Sequence, residues 1–127
     1  MAHGALRGLV PIAHVADLAR SIEFYRKLGF EPRNTLESQG QLVWAWISNG
    51  KAHLMLSGSA RPMNPDAQDV LFYVYACDVI AYRDELLARG IKAGPISYPS
   101  YMPEGEFRID DPDGYCLLVG QSDEASL

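Results

Sequence analysis

Three side chains capable of proton transfer stand in extended, alternating stretches of this chain: His14, His53 and Glu106. An imidazole titrates near neutrality and serves as a general acid or base, and a carboxylate does so when its surroundings tune it. Two imidazoles and a carboxylate are also ligand types for a divalent ion, so the same three are candidates for catalysis and for a metal site. No spacing forces them together, and a His bonded to a neighbour or placed at a rim is the commoner arrangement. Cys77 and Cys116 complete the nucleophile inventory. Neither has an adjacent His, and two cysteines make neither a disulfide framework nor a zinc site, so both read as reduced thiols.

Aromatic residues surround these groups in a pattern of faces. With Asn49-Gly50 as a two-residue hairpin turn, Ser48 stands opposite Lys51, Trp46 opposite His53 and Trp44 opposite Met55. Ala45, Ile47, Leu54 and Leu56 take the other face. The aliphatic set suits helix packing, whereas indoles, an imidazole and a thioether suit a wall that meets a ligand. The same parity aims Val10, Ile12 and His14, then Leu71, Tyr73 and Tyr75, then Cys116 and Leu118, into one cup. Any one of these aromatics is ordinary core filling. Trp44, Trp46, Tyr73 and Tyr75 together, with polar tips that need partners, favour a ligand wall. Glu106 and Arg108 alternate with Phe107 and Ile109, which aims an acid and a base into the cup, although a surface ion pair is the commoner use of such residues. Tyr98, Tyr101 and Met102 lie in a Pro-rich stretch, 94–105, that reads as a rim loop, a rigid connector or part of a dimer interface.

The elements that position these residues come as a repeat. Leu9 to Asp17 and Val70 to Asp78 are both apolar runs ending in an Asp suited to cap a helix, and each Asp is followed twelve residues later by a glycine, Gly29 or Gly90. Leu18, Ile22, Tyr25 and Leu28 fall at helical spacing, as do Val79, Tyr82, Leu86 and Leu87. Strands are predicted at roughly 30 to 36, 41 to 48 and 51 to 58, then at roughly 91 to 97, 105 to 110 and 115 to 120. Asp111-Pro112-Asp113-Gly114 reads as a tight turn. The predicted fold is α+β: two tandem βαβββ modules, about 7–58 and 69–120, forming a curved mixed sheet around a cavity. Residues 59–68 are the linker and 121–127 a tail, all within one domain.

Composition narrows the function classes. The 127 residues carry 16 acids against 11 bases, a net charge of −5, with the bases scattered, so nucleic acid is not an expected partner. No apolar run is long enough for a membrane span, and the first residues have no leader pattern, so no membrane is expected and the cytoplasm is the expected compartment.

Val15-Ala16-Asp17-Leu18-Ala19-Arg20-Ser21, Phe24-Tyr25, Leu28-Gly29-Phe30 and the closing Asp111-Pro112-Asp113-Gly114-Tyr115-Cys116-Leu117-Leu118 resemble the vicinal oxygen chelate superfamily. This superfamily includes glyoxalase I, extradiol dioxygenases, fosfomycin-resistance enzymes and bleomycin-resistance binding proteins. Its enzymes hold a divalent metal with residues from the first and fourth strands of each module. The resemblance places Val10, Met55, Leu71 and Leu118 at those positions, none of which suits such an ion.

What remains resembles the metal-independent bleomycin-resistance branch, whose members are dimers that sequester a drug. The resemblance therefore implies a homodimer that binds a small, partly aromatic molecule without a metal or other cofactor. The expected ligand-binding residues are Trp44, Trp46, His53, Met55, Tyr73, Tyr75, Tyr98, Tyr101, Met102, Arg108 and Leu118. The alternatives are a lyase, isomerase or dioxygenase using a displaced metal or a His/Glu acid-base pair, and a partner-binding module whose cup is filled by its own side chains.

Overall fold

The computed structural model describes residues 4–122. Its two α-helices, α1 (Leu18–Lys27) and α2 (Val79–Ala88), start alike. The Asp17 carboxylate accepts from the Arg20 N–H and that of Asp78 from the Ala81 N–H, each satisfying an amide the helix leaves unpaired. Both stop at a left-handed glycine, Gly29 (φ 98°) and Gly90 (φ 83°). Helix α1 buries Leu18, Ile22 and Tyr25, with Leu28 just beyond. Helix α2 buries Val79 and Leu86 and half-buries Tyr82, but Leu87, expected in the same stripe, is exposed. Leu87 lies two turns beyond Ile80, also exposed, on the outward line of the helix.

Among the described residues seven strands form two mixed sheets. β1 (Ile12–Val15), β4 (Ala52–Gly58), β3 (Gln41–Asn49) and β2 (Glu31–Ser38) lie side by side in that order. β5 (Leu71–Ala76), β7 (Cys116–Gln121) and β6 (Glu106–Asp110) make the second sheet. The repeat shows in the pairing. β1 runs parallel to β4 with Ile12 beside Met55, and β5 runs parallel to β7 with Leu71 beside Cys116. The fold is α+β, and its sheets do not close on one another.

Two sequence expectations change. The strand at 91–97 is reduced to single bridges, Ala93 with Ile109 and Ser97 with Glu106, because Gly94-Pro95 interrupts the ladder: proline has no N–H to give it. The hairpin turn is Gly50-Lys51, with Asn49 paired to Ala52 and Gly50 at φ 58° in the first central position. His53 therefore stands opposite Ser48, and Trp46 opposite Met55. Each partner moves by two residues, so every side chain keeps its face.

The faces are sharply different. Ala13, Val15, Ala45, Ile47, Leu54, Leu56, Phe107, Ile109, Leu117 and Val119 are all buried. Their alternates along the same strands are mostly half-buried or exposed.

The turn after β6 also ties the two halves together. The Tyr25 hydroxyl donates to Asp111 (2.7 Å), and the Ala16 N–H (2.9 Å) and Ser21 hydroxyl (3.3 Å) donate to Asp113, which is 1% exposed. Burial raises the Asp111 carboxyl above its ordinary value, opposed by the bonds from Tyr25 and from the Tyr115 and Asp113 amides. Among the described residues no helix is long and apolar enough to cross a membrane.

Candidate functional site

The helix-free face of the first sheet is built by three strands in register, so that Trp46, Met55 and Ile12 form one row across β3, β4 and β1. Trp44, Trp46, His53 and Met55 are half-buried; Ile12 and His14 are exposed. The Trp46 Nε1–H donates to His53 Nδ1 at 3.1 Å, the two rings meeting edge to face with centroids 5.8 Å apart. An Nδ1 that accepts leaves the proton on Nε2. The Arg33 guanidinium lies 5.6 Å from the centre of the Trp46 ring and brings a nitrogen within 3.4 Å of the same Nδ1. Arg33 is a member of this cluster that sequence reasoning missed.

The corresponding face of the second sheet has two rows, Tyr73–Leu118–Arg108 and Tyr75–Gly120–Glu106. Glu106 is 7% exposed, and both its oxygens are taken: Tyr73 donates to Oε1 and Tyr101 to Oε2, each at 2.8 Å. Tyr73 reaches Glu106 by crossing the bare backbone of Gly120, where a Cβ would stand 2.5 Å from the phenol oxygen and 2.8 Å from the Met102 methyl. Burial and the bond to Glu106 hold the Tyr73 phenol above its usual range, and Tyr101 is raised by its own bond to Glu106. The Tyr75 ring lies 5.1 Å from that of Tyr73.

Other expected members stand differently. Arg108 is exposed and pairs with Asp110, on the same strand and face, at 3.0 Å, so it forms the surface ion pair and is not aimed with Glu106 at a ligand. Tyr98 is 62% exposed, its ring edge over Gly105. Leu118 is half-buried in the row with Tyr73.

Among the described residues no three His, Cys, Asp or Glu side chains gather in a metal-holding arrangement, so His14, His53 and Glu106 do not converge. His53 is engaged by Trp46 and Glu106 by two tyrosines, while His14 is exposed on the edge strand β1. At the positions to which the resemblance assigns metal ligands, the side chains of Val10, Met55, Leu71 and Leu118 offer no donor that fits a divalent ion. The Cys116 thiol is pushed up by burial, against the pull of Arg108, which opposes thiolate chemistry. Cys77 is a free, exposed thiol.

Two grooves lie where the halves of the chain meet. The larger, about 850 Å³, runs between the β3–β4 turn and the β5–α2 corner, against Phe30, Lys51, Tyr73, Tyr75, Tyr82 and Glu85. The smaller, about 270 Å³, brings His53 from the first sheet beside Leu71 and Tyr73 of the second. Neither is walled by Trp44 or Trp46, which lie on the open face of their sheet. The contribution of α2 to the larger groove had no signal in the sequence, because Tyr82 reads as a core position of the helix. Its hydroxyl bonds the Leu28 carbonyl of the other half.

A family model described as the Glyoxalase/Bleomycin resistance protein/Dioxygenase superfamily matches residues 10–118. No curated protein matches the chain. Among solved structures, the chain is similar to a bleomycin resistance determinant encoded on the transposon Tn5, with TM-score 0.77 and 17% identity over 93% of this chain and 99% of that one. It is similar to a bleomycin-binding protein from Streptomyces verticillus complexed with copper(II)-bleomycin, with TM-score 0.71 and 20% identity over 94% and 98% of the two chains. TnmS3, an antibiotic binding protein from a Streptomyces species, gives TM-score 0.69 and 19% identity over 95% and 100%. At these identities the likeness is one of fold.

Proposed function

The chain belongs to the Glyoxalase/Bleomycin resistance protein/Dioxygenase superfamily, and from that premise we propose that it is a metal-independent binding protein that sequesters a small, partly aromatic molecule. The observation that carries the reading is the placement of Trp44, Trp46, Tyr73 and Tyr75 on helix-free faces, half-buried or exposed, while Ala45 and Ile47 fill the core and Phe72 and Val74 pack against it. Rings held open in this way offer stacking area at little entropic cost. Superfamily chemistry routed through a divalent ion lacks its ligands here, since Val10, Met55, Leu71 and Leu118 offer no nitrogen or oxygen donor.

The likeness to proteins that bind bleomycin and another antibiotic supports a binding role. Sequestration needs only enclosure. In this reading the protein works in the cytoplasm as a homodimer, whose second copy covers the open faces. Trp44, Trp46, His53, Met55, Tyr73, Tyr75, Tyr101, Met102 and Leu118 form the wall; Tyr98 and Arg108 belong to its rim.

The test is a tryptophan-fluorescence titration of tag-free protein with acridine, a planar uncharged probe at neutral pH, and with bleomycin. Saturable quenching by either, weakened about tenfold in Trp46→Leu, is the expected result. Linear, non-saturating quenching by both would overturn the proposal.

A further inference from the structure

Glu106 sets a problem that the aromatic wall alone does not explain. Its carboxylate is almost fully withdrawn from water, yet among the described residues no cation pairs with it. The nearest base on its strand, Arg108, is held by Asp110. Two phenols stand in for a counter-charge, and a buried carboxylate is better satisfied by a charged donor than by neutral ones. The two phenols are also unequal. Tyr73 is half-buried and lies over Gly120, whereas Tyr101 is 65% exposed, on a turn closed by the Met102 N–H to the Pro99 carbonyl. The donor at Oε2 is thus the replaceable one.

We propose that Glu106 is the specificity-determining anchor of the site, receiving a protonated nitrogen of the ligand at Oε2 in place of the Tyr101 hydroxyl. The inference rests on the binding reading above and narrows its ligand to cationic aromatic compounds bearing an N–H donor. Tyr73 keeps its bond to Oε1 and orients the carboxylate. The rings of Tyr73 and Tyr75, whose centroids lie 5.1 Å apart, share the face of the sheet with Glu106, and a cation that settles over either ring gains the attraction of its π face. The released Tyr101 side chain folds over the ligand edge. No covalent step is involved, and the net charge of −5 favours approach of such a ligand.

The test is isothermal titration calorimetry with two acridines of similar ring size: proflavine, a cation with N–H donors at neutral pH, and acridine, uncharged there. Wild-type protein is expected to bind proflavine at least about tenfold tighter than acridine, the increment of one charge-assisted bond. Glu106→Gln, which keeps the shape and an acceptor but removes the charge, is expected to level the two probes. Tyr101→Phe, which frees Oε2, is expected to bind proflavine several-fold tighter.

Equal affinities in the wild type, an unchanged preference in Glu106→Gln, or weaker proflavine binding in Tyr101→Phe would each overturn this inference and leave the binding reading standing. Absence of saturable binding by both probes would overturn this inference, and the binding reading with it where bleomycin also fails to bind. The wild-type comparison decides the matter even if Glu106→Gln does not fold.

Discussion

Trp46 and His53 are joined across β3 and β4 by a 3.1 Å bond from the indole N–H to Nδ1, although the ladder sets them diagonally rather than opposite. The bond fixes the imidazole tautomer and holds the indole at a set angle, edge on to the imidazole ring. A ligand wall made of one mobile indole would lose affinity to ordering; this one is ordered in advance. His53→Ala is therefore expected to free the Trp46 side chain, lowering fluorescence anisotropy and weakening acridine quenching by several-fold. Because both residues are only half-buried, unfolding stability is expected to change by no more than about 1 kcal/mol. Unchanged anisotropy and affinity would show that the bond is incidental.

Asp113 is a structural anchor of a different kind. Its carboxylate is buried and accepts from Ala16 and Ser21, more than ninety positions away in sequence. Asp113→Ala strips two donors of their acceptor, one of them the fully buried Ser21 hydroxyl, and a loss of about 2 to 4 kcal/mol is expected. Urea unfolding measures it, and a loss under about 0.5 kcal/mol would mean that the turn does not hold the halves together.

Stability is expected to fall in alkali. Burial raises the Tyr25 phenol, and its bond to Asp111 adds to that; burial likewise raises Tyr82, from 10.0 to about 12, with Arg89 opposing. Between pH about 10 and about 12 the folded chain then holds protons that the unfolded chain has released, so unfolding becomes easier as pH rises through that window. Below pH about 10 the contribution of these groups is complete. Urea midpoints across the window should decline, and the decline should be shallower in Tyr82→Phe. A flat profile would contradict the assignment.

Gly120 gives a prediction about space alone. A methyl group there would meet the Tyr73 hydroxyl at 2.5 Å and the Met102 methyl at 2.8 Å, both at the ends of side chains that can move. Gly120→Ala is expected to fold while breaking the Tyr73–Glu106 bond, and so to lower proflavine affinity more than acridine affinity. Equal losses for the two probes would count against the role given to that bond.

The parts of this molecule that could be read from the sequence are those set by short-range patterns. Both helix starts follow from Asp17 and Asp78, which act on amides three residues away, and the aliphatic faces of β3 and β4 follow from alternation. Parity survived even where register did not: Asn49-Gly50 signals a hairpin without saying whether Gly50 is the second or the first central residue, and a two-residue shift leaves the faces alone.

The strand at 91–97 failed because an apolar stretch looked extended while Gly94-Pro95 denied it a ladder. The Tyr73–Glu106–Tyr101 cluster was only half legible. Face assignment placed Tyr73 and Glu106 on the same side, but their contact depends on the absence of a side chain at Gly120, between them in the sheet. Asp111 and Asp113 read as turn formers, and nothing local reports that their carboxylates also receive Tyr25, Ala16 and Ser21.

The central claim, that this site binds by enclosure with no metal ion, is tested most directly by measuring acridine affinity in tag-free protein after chelator treatment and again after loading with zinc, nickel, manganese or iron. The account predicts one affinity throughout, within about twofold, and no stoichiometric metal retained on desalting. Binding that vanishes on chelation and returns with one ion would contradict it.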